Sequence, residues 1–331
     1  MPSINRRTLL AGAAATGALA AAAARAQGNS VSAAPDLSGQ AILITGCSSG
    51  FGRLSALHFA ELGAKVFATM RNLPRPEGNE LRQLAADKDL DLHVIELDVL
   101  DDEMVLAAVA EAERINGGPM DVLVNNAGIG ITGPVEVQDM EATKLAFDTN
   151  VFGYHRLVRA VLPGMRSRKS GHIFSISSQL GRVIIPYGGH YSATKFAVEA
   201  MGEQLAYELV PHNIEVTVIE PGGYPTKVWV NRNRYSGDLA ARANARHTDG
   251  YPQVVARMGE EDGSGRSADP MDIPRVMASI LAMPPGTRPV RQPVSGGSIP
   301  QTAINEVSAK TQVDWLGGSP FLGPLVKAVH D

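Results

Sequence analysis

Three residues near the middle of the chain have types and a spacing that suit proton transfer. Ser178 precedes Tyr191 by thirteen residues, and Lys195 follows Tyr191 by four. Four residues are about one helical turn, so in a helix the phenol and the ammonium share one face. A cation beside a phenol favours the ionised form, which brings proton transfer closer to neutral pH. We therefore expect Tyr191 to exchange a proton with an oxygen that the Ser178 hydroxyl holds.

A second informative pattern lies much earlier, between an apolar run at 41–45 and a helical pattern at 54–62. The segment from Thr45 to Gly52 reads TGCSSGFG. Glycines allow a tight turn and let the main chain approach a pyrophosphate, while the N-terminus of the following helix offers N–H groups. This position favours a dinucleotide site, although a Gly-rich turn alone also occurs for purely structural reasons.

The elements that must position these residues alternate between short apolar runs and longer helical patterns. The predicted strands cover 41–45, 65–70, 93–97, 120–125, 172–177, 215–219 and 288–294. The predicted helices cover 54–62, 79–87, 101–115, 150–168, 191–210 and 271–283. Such alternation predicts an α/β fold, a doubly wound parallel sheet of the Rossmann type in three layers, α/β/α. We expect it to form a single domain over residues 40–294.

Four motifs, in this order, resemble those of the short-chain dehydrogenase/reductases. The turn at 45–52 matches their T-G-x-x-x-G-x-G, and residues 125–128 match their N-N-A-G. Ser178, Tyr191 and Lys195 match their catalytic Ser and Y-x-x-x-K, and residues 221–226 match their P-G-x-x-x-T. The resemblance covers residues 40–283. It implies an NAD(P)-dependent oxidoreductase that interconverts a carbonyl and a secondary alcohol in a small-molecule substrate.

The resemblance also implies a role for each catalytic position. Tyr191 would be the acid/base, Ser178 would hydrogen-bond the substrate oxygen, and Lys195 would bind the nicotinamide ribose and favour the Tyr191 phenolate. Asn150 resembles the family's Asn that holds a proton-relay water, although Asn is also a good helix N-cap. Hydride would pass between the nicotinamide C4 and the substrate carbon, because no protein side chain can carry it.

The cofactor-binding positions implied by the same match lie in the Gly-rich turn and at strand ends. They are Thr45, Gly46, Ser48, Ser49, Gly50, Phe51, Gly52, Arg71, Asp98, Asn125, Ala127, Gly128, Tyr191, Lys195, Pro221, Gly222 and Thr226. Asp98 resembles the family's adenine-contacting Asp, and it also suits a cap of the next helix. The side chains of residues 125–128 are expected to connect neighbouring loops by hydrogen bonds.

The end of the second predicted strand bears on the choice of cofactor. Met70 stands where a ribose-binding acid would be expected for NAD, and Arg71 follows it directly. The missing carboxylate removes repulsion, and a guanidinium can bind a 2′-phosphate through two hydrogen bonds. NADP is therefore expected in preference to NAD, with a solvated surface position for Arg71 as the alternative.

Residues 1–26 have the pattern of a twin-arginine export signal. Arg6 and Arg7 precede an Ala-rich apolar run that ends in an A-x-A site at Ala26. We expect cleavage after Ala26 and a periplasmic protein, with an uncleaved membrane anchor or a cytoplasmic protein as the alternatives. The run is short and Ala-rich, so no stable membrane span is expected after cleavage.

Composition and charge disfavour several classes of protein. Of the 331 residues 44% are hydrophobic and 19% charged, which is typical of a globular enzyme. Removal of residues 1–26, which contain three arginines and no acid, changes the formal net charge from −4 to −7. An acidic chain without basic clusters does not favour nucleic acid or anionic membranes as partners. Cys47 is the only cysteine, so an intrachain disulfide is excluded, and the histidines lack metal-ligand spacing, so no metal site is expected.

Three segments outside the regular alternation carry weaker expectations. Residues 27–39 are a polar lead-in, residues 226–269 are expected to form a substrate lid above the sheet, and residues 295–331 are a tail that packs on its own chain or on a partner.

The pocket-lining segments favour a medium-sized, largely apolar carbonyl compound. By resemblance, helices 150–168 and 191–210 would pair in a homodimer or homotetramer. The alternative to an enzyme is a nucleotide-binding sensor or scaffold, which has no use for a complete Ser, Tyr, Lys and Asn set.

Overall fold

Seven strands form one parallel sheet, as the alternating pattern predicts. The structure is a computed structural model that describes residues 34–331. The strands are β1 (Ala41–Ile44), β2 (Lys65–Met70), β3 (Leu92–Glu96), β4 (Val122–Asn125), β5 (Gly171–Ile176), β6 (Ile214–Pro221) and β7 (Arg291–Val294). They lie in the order β3-β2-β1-β4-β5-β6-β7, and every neighbouring pair is parallel.

Helices connect the strands and cover both faces of the sheet. They are α1 (Gly50–Glu61), α2 (Pro76–Asp87), α3 (Asp102–Asn116), α4 (Met140–Phe147), α5 (Gly153–Arg168), α6 (Tyr191–Leu209), α7 (Val228–Arg242), α8 (Ala245–Thr248), α9 (Pro252–Val255), α10 (Asp272–Leu281), α11 (Gln301–Leu316) and α12 (Gly323–His330). Among the helices of residues 34–331, none is both long enough and apolar enough to cross a membrane.

Two hydrophobic cores, one on each face, hold the layers together. Alternate residues of a strand point to opposite faces, so Ile42 of β1 packs in the core with Phe59 of α1 and with α10. Its neighbour Leu43 packs in the other core with Leu157 of α5 and with α3 and α6. Continuous apolar strands are what a sheet buried on both faces requires. The predicted three-layer α/β fold is therefore confirmed.

The strand order places a crevice at the carboxyl edge of the sheet. The chain moves outward from β1 through β2 to β3, and then returns to place β4 on the other side of β1. Connections on either side of such a switch point lead away from each other, which leaves a groove for a ligand. The Gly-rich turn follows β1 and the segment 125–128 follows β4, so both motifs border this groove.

Some element boundaries differ from the predicted ones. α1 begins at Gly50 rather than at residue 54, so the last residues of the Gly-rich turn form the first turn of the helix. The predicted helix at 150–168 begins as a π-helical segment, Asp148–Phe152, before α5. α4 was not predicted, and within 226–269, where loop and short helix are expected, the structure contains the three helices α7, α8 and α9.

The last part of the chain folds back on its own sheet. Residues 295–331 contain α11 and α12, and the imidazole of His330 lies within 3.2 Å of a Glu203 carboxylate oxygen on α6. Tyr207 contacts the same imidazole at 2.6 Å. The tail therefore packs on its own chain, which was one of the two options left open by the sequence. The expected export signal lies outside the described residues.

Candidate active site

Ser178, Tyr191 and Lys195 meet at the carboxyl edge of the sheet and line one cleft. Ser178 follows the end of β5 and begins a short 3-10 turn, where its hydroxyl accepts a hydrogen bond from the Leu180 N–H at 3.1 Å. That leaves the hydroxyl proton available for an oxygen bound in the cleft. Tyr191 is the first residue of α6, so Lys195 follows one turn later, as the spacing predicts.

Lys195 is a buried cation beside the phenol. It is 4% exposed, and its Nζ donates a hydrogen bond to the Ile176 carbonyl at 2.8 Å. The same Nζ lies 5.7 Å from the centroid of the Tyr191 ring and 5.6 Å from that of Tyr154. Burial lowers the pKa of Lys195 to about 8, although the Glu199 carboxylate opposes this change. An ammonium has three N–H donors, and the bond to Ile176 uses one of them. The buried Lys195 side chain therefore suits a ligand that presents acceptor oxygens.

The pKa of Tyr191 does not follow the simple expectation from spacing. Burial raises the pKa of the Tyr191 phenol above its ordinary value, while Ser178 and the charge of Arg232 act to lower it. Burial therefore outweighs the lowering expected from a neighbouring cation, and the net change in the Tyr191 pKa is upward. The physical reason is that burial withdraws the water that would stabilise a phenolate. One cation that opposes this effect is Arg232 of α7.

Asn150 is fully buried in the π-helical segment and is saturated by protein groups. Its amide oxygen accepts from the Ile129 N–H at 2.8 Å, and its amide nitrogen donates to the Ile129 carbonyl at 2.9 Å and to Thr194 Oγ1 at 3.0 Å. The side chain thus connects the loop after β4 to α6.

The Gly-rich turn is fitted closely against the loop that follows β4. Gly46 has a φ of +74°, and a Cβ there would lie 2.9 Å from the Ala127 Cα. The Thr45 hydroxyl accepts from the main-chain N–H groups of Asn126 and Ala127 at 2.9 and 3.0 Å. A Cβ on Gly52 would lie 2.5 Å from Asn126 Nδ2. These contacts fix the Gly-rich turn against the loop after β4, so that its other side faces the cleft.

The cleft has a volume of about 620 Å³. The predicted cofactor residues that line it are Gly46, Ser48, Ser49, Gly50, Phe51, Arg71, Asp98, Ala127, Gly128, Tyr191, Lys195, Pro221, Gly222 and Thr226. Thr45, Gly52 and Asn125 lie behind the wall of the cleft. Within residues 34–331 the buried Asn125 amide has no hydrogen-bond partner, so the expected link between loops is made by Asn126, which donates to the Thr45 carbonyl at 2.8 Å.

The N-terminus of α1 faces the turn and suits an anionic group. Ser49 is the N-cap residue, and within the described chain its side chain accepts no hydrogen bond from the first turn. The N–H groups of that turn are therefore free to bind a ligand, and the helix dipole favours negative charge. Thr226 lies opposite, 3.6 Å from an ideal Cβ on Gly50. The free N–H groups and the positive end of the helix dipole are the features that suit a pyrophosphate.

The end of β2 presents a cation to the cleft and no acid. The Met70 side chain is 2% exposed, whereas Arg71 extends between two partners. Its guanidinium lies 3.9 Å from an Asp98 carboxylate oxygen and 3.4 Å from the Tyr235 hydroxyl. Arg71 and Asp98, which the sequence assigned to different parts of a dinucleotide, are thus neighbours. Both contacts are long enough to be exchanged for a phosphate oxygen.

Residues 226–269, the segment expected to form a lid, bring side chains into the site that the motifs did not indicate. Trp229 and Arg232 of α7 line the cleft, and so do Glu261 and Arg266 of the loop after α9. Arg75, beyond β2, also lines the cleft and pairs with Glu77 at 2.9 Å. The sequence showed only that the lid is rich in Arg and aromatic residues. In the described part of the chain, no group of three His, Cys, Asp or Glu side chains is arranged to hold a metal ion.

Comparisons with known proteins agree with this geometry. A family model described as short chain dehydrogenase matches residues 40–236. Human retinol dehydrogenase 8 is 44% identical over 191 residues, which are 56% of this chain and 59% of that protein. The matched region therefore spans less than two thirds of that relative's length.

Solved structures extend the likeness over most of the chain. A short-chain dehydrogenase from Streptomyces avermitilis superimposes with a TM-score of 0.64 at 30% identity and covers 84% of this chain and 97% of its own. A short chain dehydrogenase/reductase from Burkholderia phymatum in complex with NAD has a TM-score of 0.66, covering 86% of this chain and 97% of its own. At 22% identity the second comparison bears on the fold alone.

Proposed function

The chain belongs to the short-chain dehydrogenase family, and from that membership we propose that it interconverts a carbonyl and a secondary alcohol with Tyr191 as the acid/base. One observation carries this proposal: Ser178, Tyr191 and Lys195 line the same cleft as the Gly-rich turn. A hydroxyl, a phenol and a buried cation are thereby placed beside a site that fits a dinucleotide.

In the reductive direction the substrate oxygen accepts hydrogen bonds from the Ser178 and Tyr191 hydroxyl groups. Tyr191 gives its proton to that oxygen as negative charge develops on it, and the resulting phenolate is stabilised by the cations of Lys195 and Arg232. A bound nicotinamide would supply the hydride in this direction and accept it in oxidation. Burial raises the pKa of Tyr191, so the phenol is protonated and ready to donate at neutral pH.

The cofactor we propose is NADP, with NAD less favoured. Its pyrophosphate would lie on the first turn of α1, and its nicotinamide ribose would accept hydrogen bonds from Lys195. Arg71 would bind the 2′-phosphate, and the buried Met70 in place of an acid removes the carboxylate that an NAD ribose would use. Measuring KM for both cofactors in the wild type and in Arg71→Gln tests this choice.

A non-catalytic nucleotide sensor or scaffold is the alternative from another class. Such a protein needs the turn at 45–52 and the helix N-terminus, but it has no use for Ser178, Tyr191 and Lys195 in one cleft. A screen of carbonyl compounds and alcohols with either cofactor separates the two functions. We expect turnover that Tyr191→Phe reduces at least about 100-fold, because general acid–base catalysis contributes roughly that much. Cofactor binding without turnover of any compound would favour the sensor.

We also propose that residues 1–26 direct export to the periplasm with the cofactor already bound, since a twin-arginine route carries folded proteins. A cytoplasmic or membrane-anchored protein is the alternative. Purification from the native compartment, followed by absorbance of the released nucleotide, tests location and cofactor together. An empty exported protein would contradict preloading.

Self-association through α5 and α6 is the proposal for quaternary structure. Phe152, just before α5, is 52% exposed, and Phe196 of α6 is 37% exposed, so apolar side chains are available on both helices. Light scattering on the purified protein would show a dimer or tetramer. A monomer that is active would contradict this assignment.

A further inference from the structure

The lid contains a rigid aromatic platform at the substrate side of the cleft. Trp229 donates a hydrogen bond from its indole nitrogen to the Tyr224 carbonyl at 2.7 Å. A Cβ on Gly263 would lie 2.4 Å from the indole ring, so the ring packs directly on the main chain there. The indole is thus held on two sides, and its position is fixed by the lid itself.

Two guanidinium groups lie over the Trp229 ring, and they differ in their ion-pair and hydrogen-bond partners. Arg266 is 3.7 Å from the ring centroid of Trp229 and pairs with Glu261 at 2.9 Å. Arg232 is 4.4 Å from the same centroid. Its Nε is buried without a hydrogen-bond partner, and within residues 34–331 it makes no ion pair. Arg232 is therefore a positioned cation whose donors are unused.

Packing also limits where Arg232 can point. Its side chain passes so close to the loop after β4 that a Cβ on Gly130 would lie 3.1 Å from Arg232 Cγ. The guanidinium is near enough to the Tyr191 phenol for each group to affect the other's charge. The stem is thus confined between α7 and the loop, and the Arg232 side chain lines the same cleft as the Tyr191 phenol.

Charge around the platform is unbalanced. Glu261 is the one carboxylate that acts on Arg232, while Arg266 repels it. The cleft as a whole is lined by six Arg or Lys side chains and by only two acids, in a chain whose net charge is negative. Arg71 and Arg75 follow β2, and each has an acid beside it, Asp98 and Glu77 respectively.

We propose that Arg232 binds a carboxylate of the substrate, so that the compounds turned over are oxo acids and the corresponding hydroxy acids. This inference rests on the proposed carbonyl and alcohol chemistry at Tyr191. A carboxylate can accept two hydrogen bonds from one guanidinium, which orients the substrate as well as binding it. The apolar lining at Leu180, Ile185 and Val228 accommodates a hydrocarbon chain, so the substrate joins an acid head to an apolar body.

The test compares acids with matched neutral esters. Straight-chain 2-, 3- and 4-oxo acids and their methyl esters are reduced under identical conditions, and kcat/KM is measured for each. We expect one position of the oxo group to give an acid preference of about tenfold or more, since hydrogen bonds to charged groups contribute about that much. In Arg232→Gln the ratio of acid to ester falls toward one, whereas KM for the cofactor does not change.

Arg234→Gln is the matched control, because Arg234 also lines the cleft but lies over the Tyr235 ring, 4.9 Å from its centroid. It should keep the acid preference. Equal turnover of acids and esters by the wild type would overturn the role of Arg232 and leave the carbonyl chemistry intact. Absence of turnover with every substrate class, or turnover that Tyr191→Phe does not change, would instead count against the proposed function.

A binding measurement decides the question independently of turnover. The chain has two tryptophans, and Trp315 is 75% exposed on α11, so Trp315→Phe leaves Trp229 as the single reporter. Titration with an oxo acid should change Trp229 fluorescence saturably, the matched ester should bind at least about tenfold more weakly, and Arg232→Gln should remove the difference. An equal response to acid and ester would refute the proposal.

Discussion

Replacing Lys195 by methionine should stabilise the cofactor-free protein while it abolishes catalysis. Burial lowers the pKa of Lys195 to about 8, so folding forces a cation with an ordinary pKa of 10.5 into a site that disfavours charge. A lysine with a lowered folded-state pKa destabilises the folded chain at pH values below about 8. That penalty disappears as the pH rises toward 10.5. Methionine keeps most of the apolar stem and carries no charge.

The size of the effect follows from the pKa difference. At about 1.4 kcal/mol for each pKa unit, the buried cation costs about 3 kcal/mol at pH 7. The substitution also removes the hydrogen bond to the Ile176 carbonyl, which is worth about 1 kcal/mol. Lys195→Met should therefore raise the free energy of unfolding by about 2 kcal/mol at pH 7 and by about zero at pH 10.

Urea unfolding without added cofactor, at both pH values, measures this difference. Lys144→Met is a suitable control because Lys144 is exposed on α4, and its effect should be small and equal at the two pH values. Turnover by Lys195→Met should fall at least about 100-fold. A destabilised variant at pH 7, or a gain of the same size at pH 7 and pH 10, would refute the account of Lys195 as a desolvated cation.

Three further substitutions test other parts of the site. Arg71→Gln should raise KM for NADP at least about tenfold with little change for NAD, since one charge-assisted contact is lost; equal effects on both cofactors would exclude Arg71 from phosphate binding. Asn150→Ala should lower the free energy of unfolding by about 3 kcal/mol in a denaturant titration, because three buried hydrogen bonds disappear; an unchanged midpoint would contradict its connecting role. Burial and the nearby Glu199 raise the pKa of Glu220 to about 7, so the ionised acid destabilises the folded chain above that pH. Glu220→Gln should therefore stabilise the protein at pH 8.5 and not at pH 5, and a gain at pH 5 of the same size would contradict this sign.

The sequence was sufficient for the sheet and for most of the cleft because both depend on local pattern. Apolar runs and helical periods identified the strands and the main helices, and the ends of parallel strands necessarily lie at one edge. Spacing along one helix placed Tyr191 and Lys195 on one face. Segments whose apolar residues have no period, such as α4, α7 and α11, could not be found in the same way.

Properties that arise from packing between distant segments were not predictable. The pKa of Tyr191 depends on its burial and on the charge of Arg232, and neither can be read from the sequence. The side chains of residues 125–128 were expected to connect loops, and the sequence did not show that Asn126 does so and Asn125 does not, because adjacent residues of the strand end point in opposite directions. Arg232 lines the same cleft as Tyr191 because α7 folds back over the sheet. No sequence motif indicates that α7 takes this path.

Transfer of deuterium from a cofactor labelled at the nicotinamide C4 tests the central claim most directly. The wild type should place the label on the carbinol carbon of the product, as mass spectrometry would show, and Tyr191→Phe should slow that transfer at least about 100-fold while it still binds the cofactor. A product without the label, or labelling at the same rate in Tyr191→Phe, would contradict hydride transfer coupled to proton donation by Tyr191.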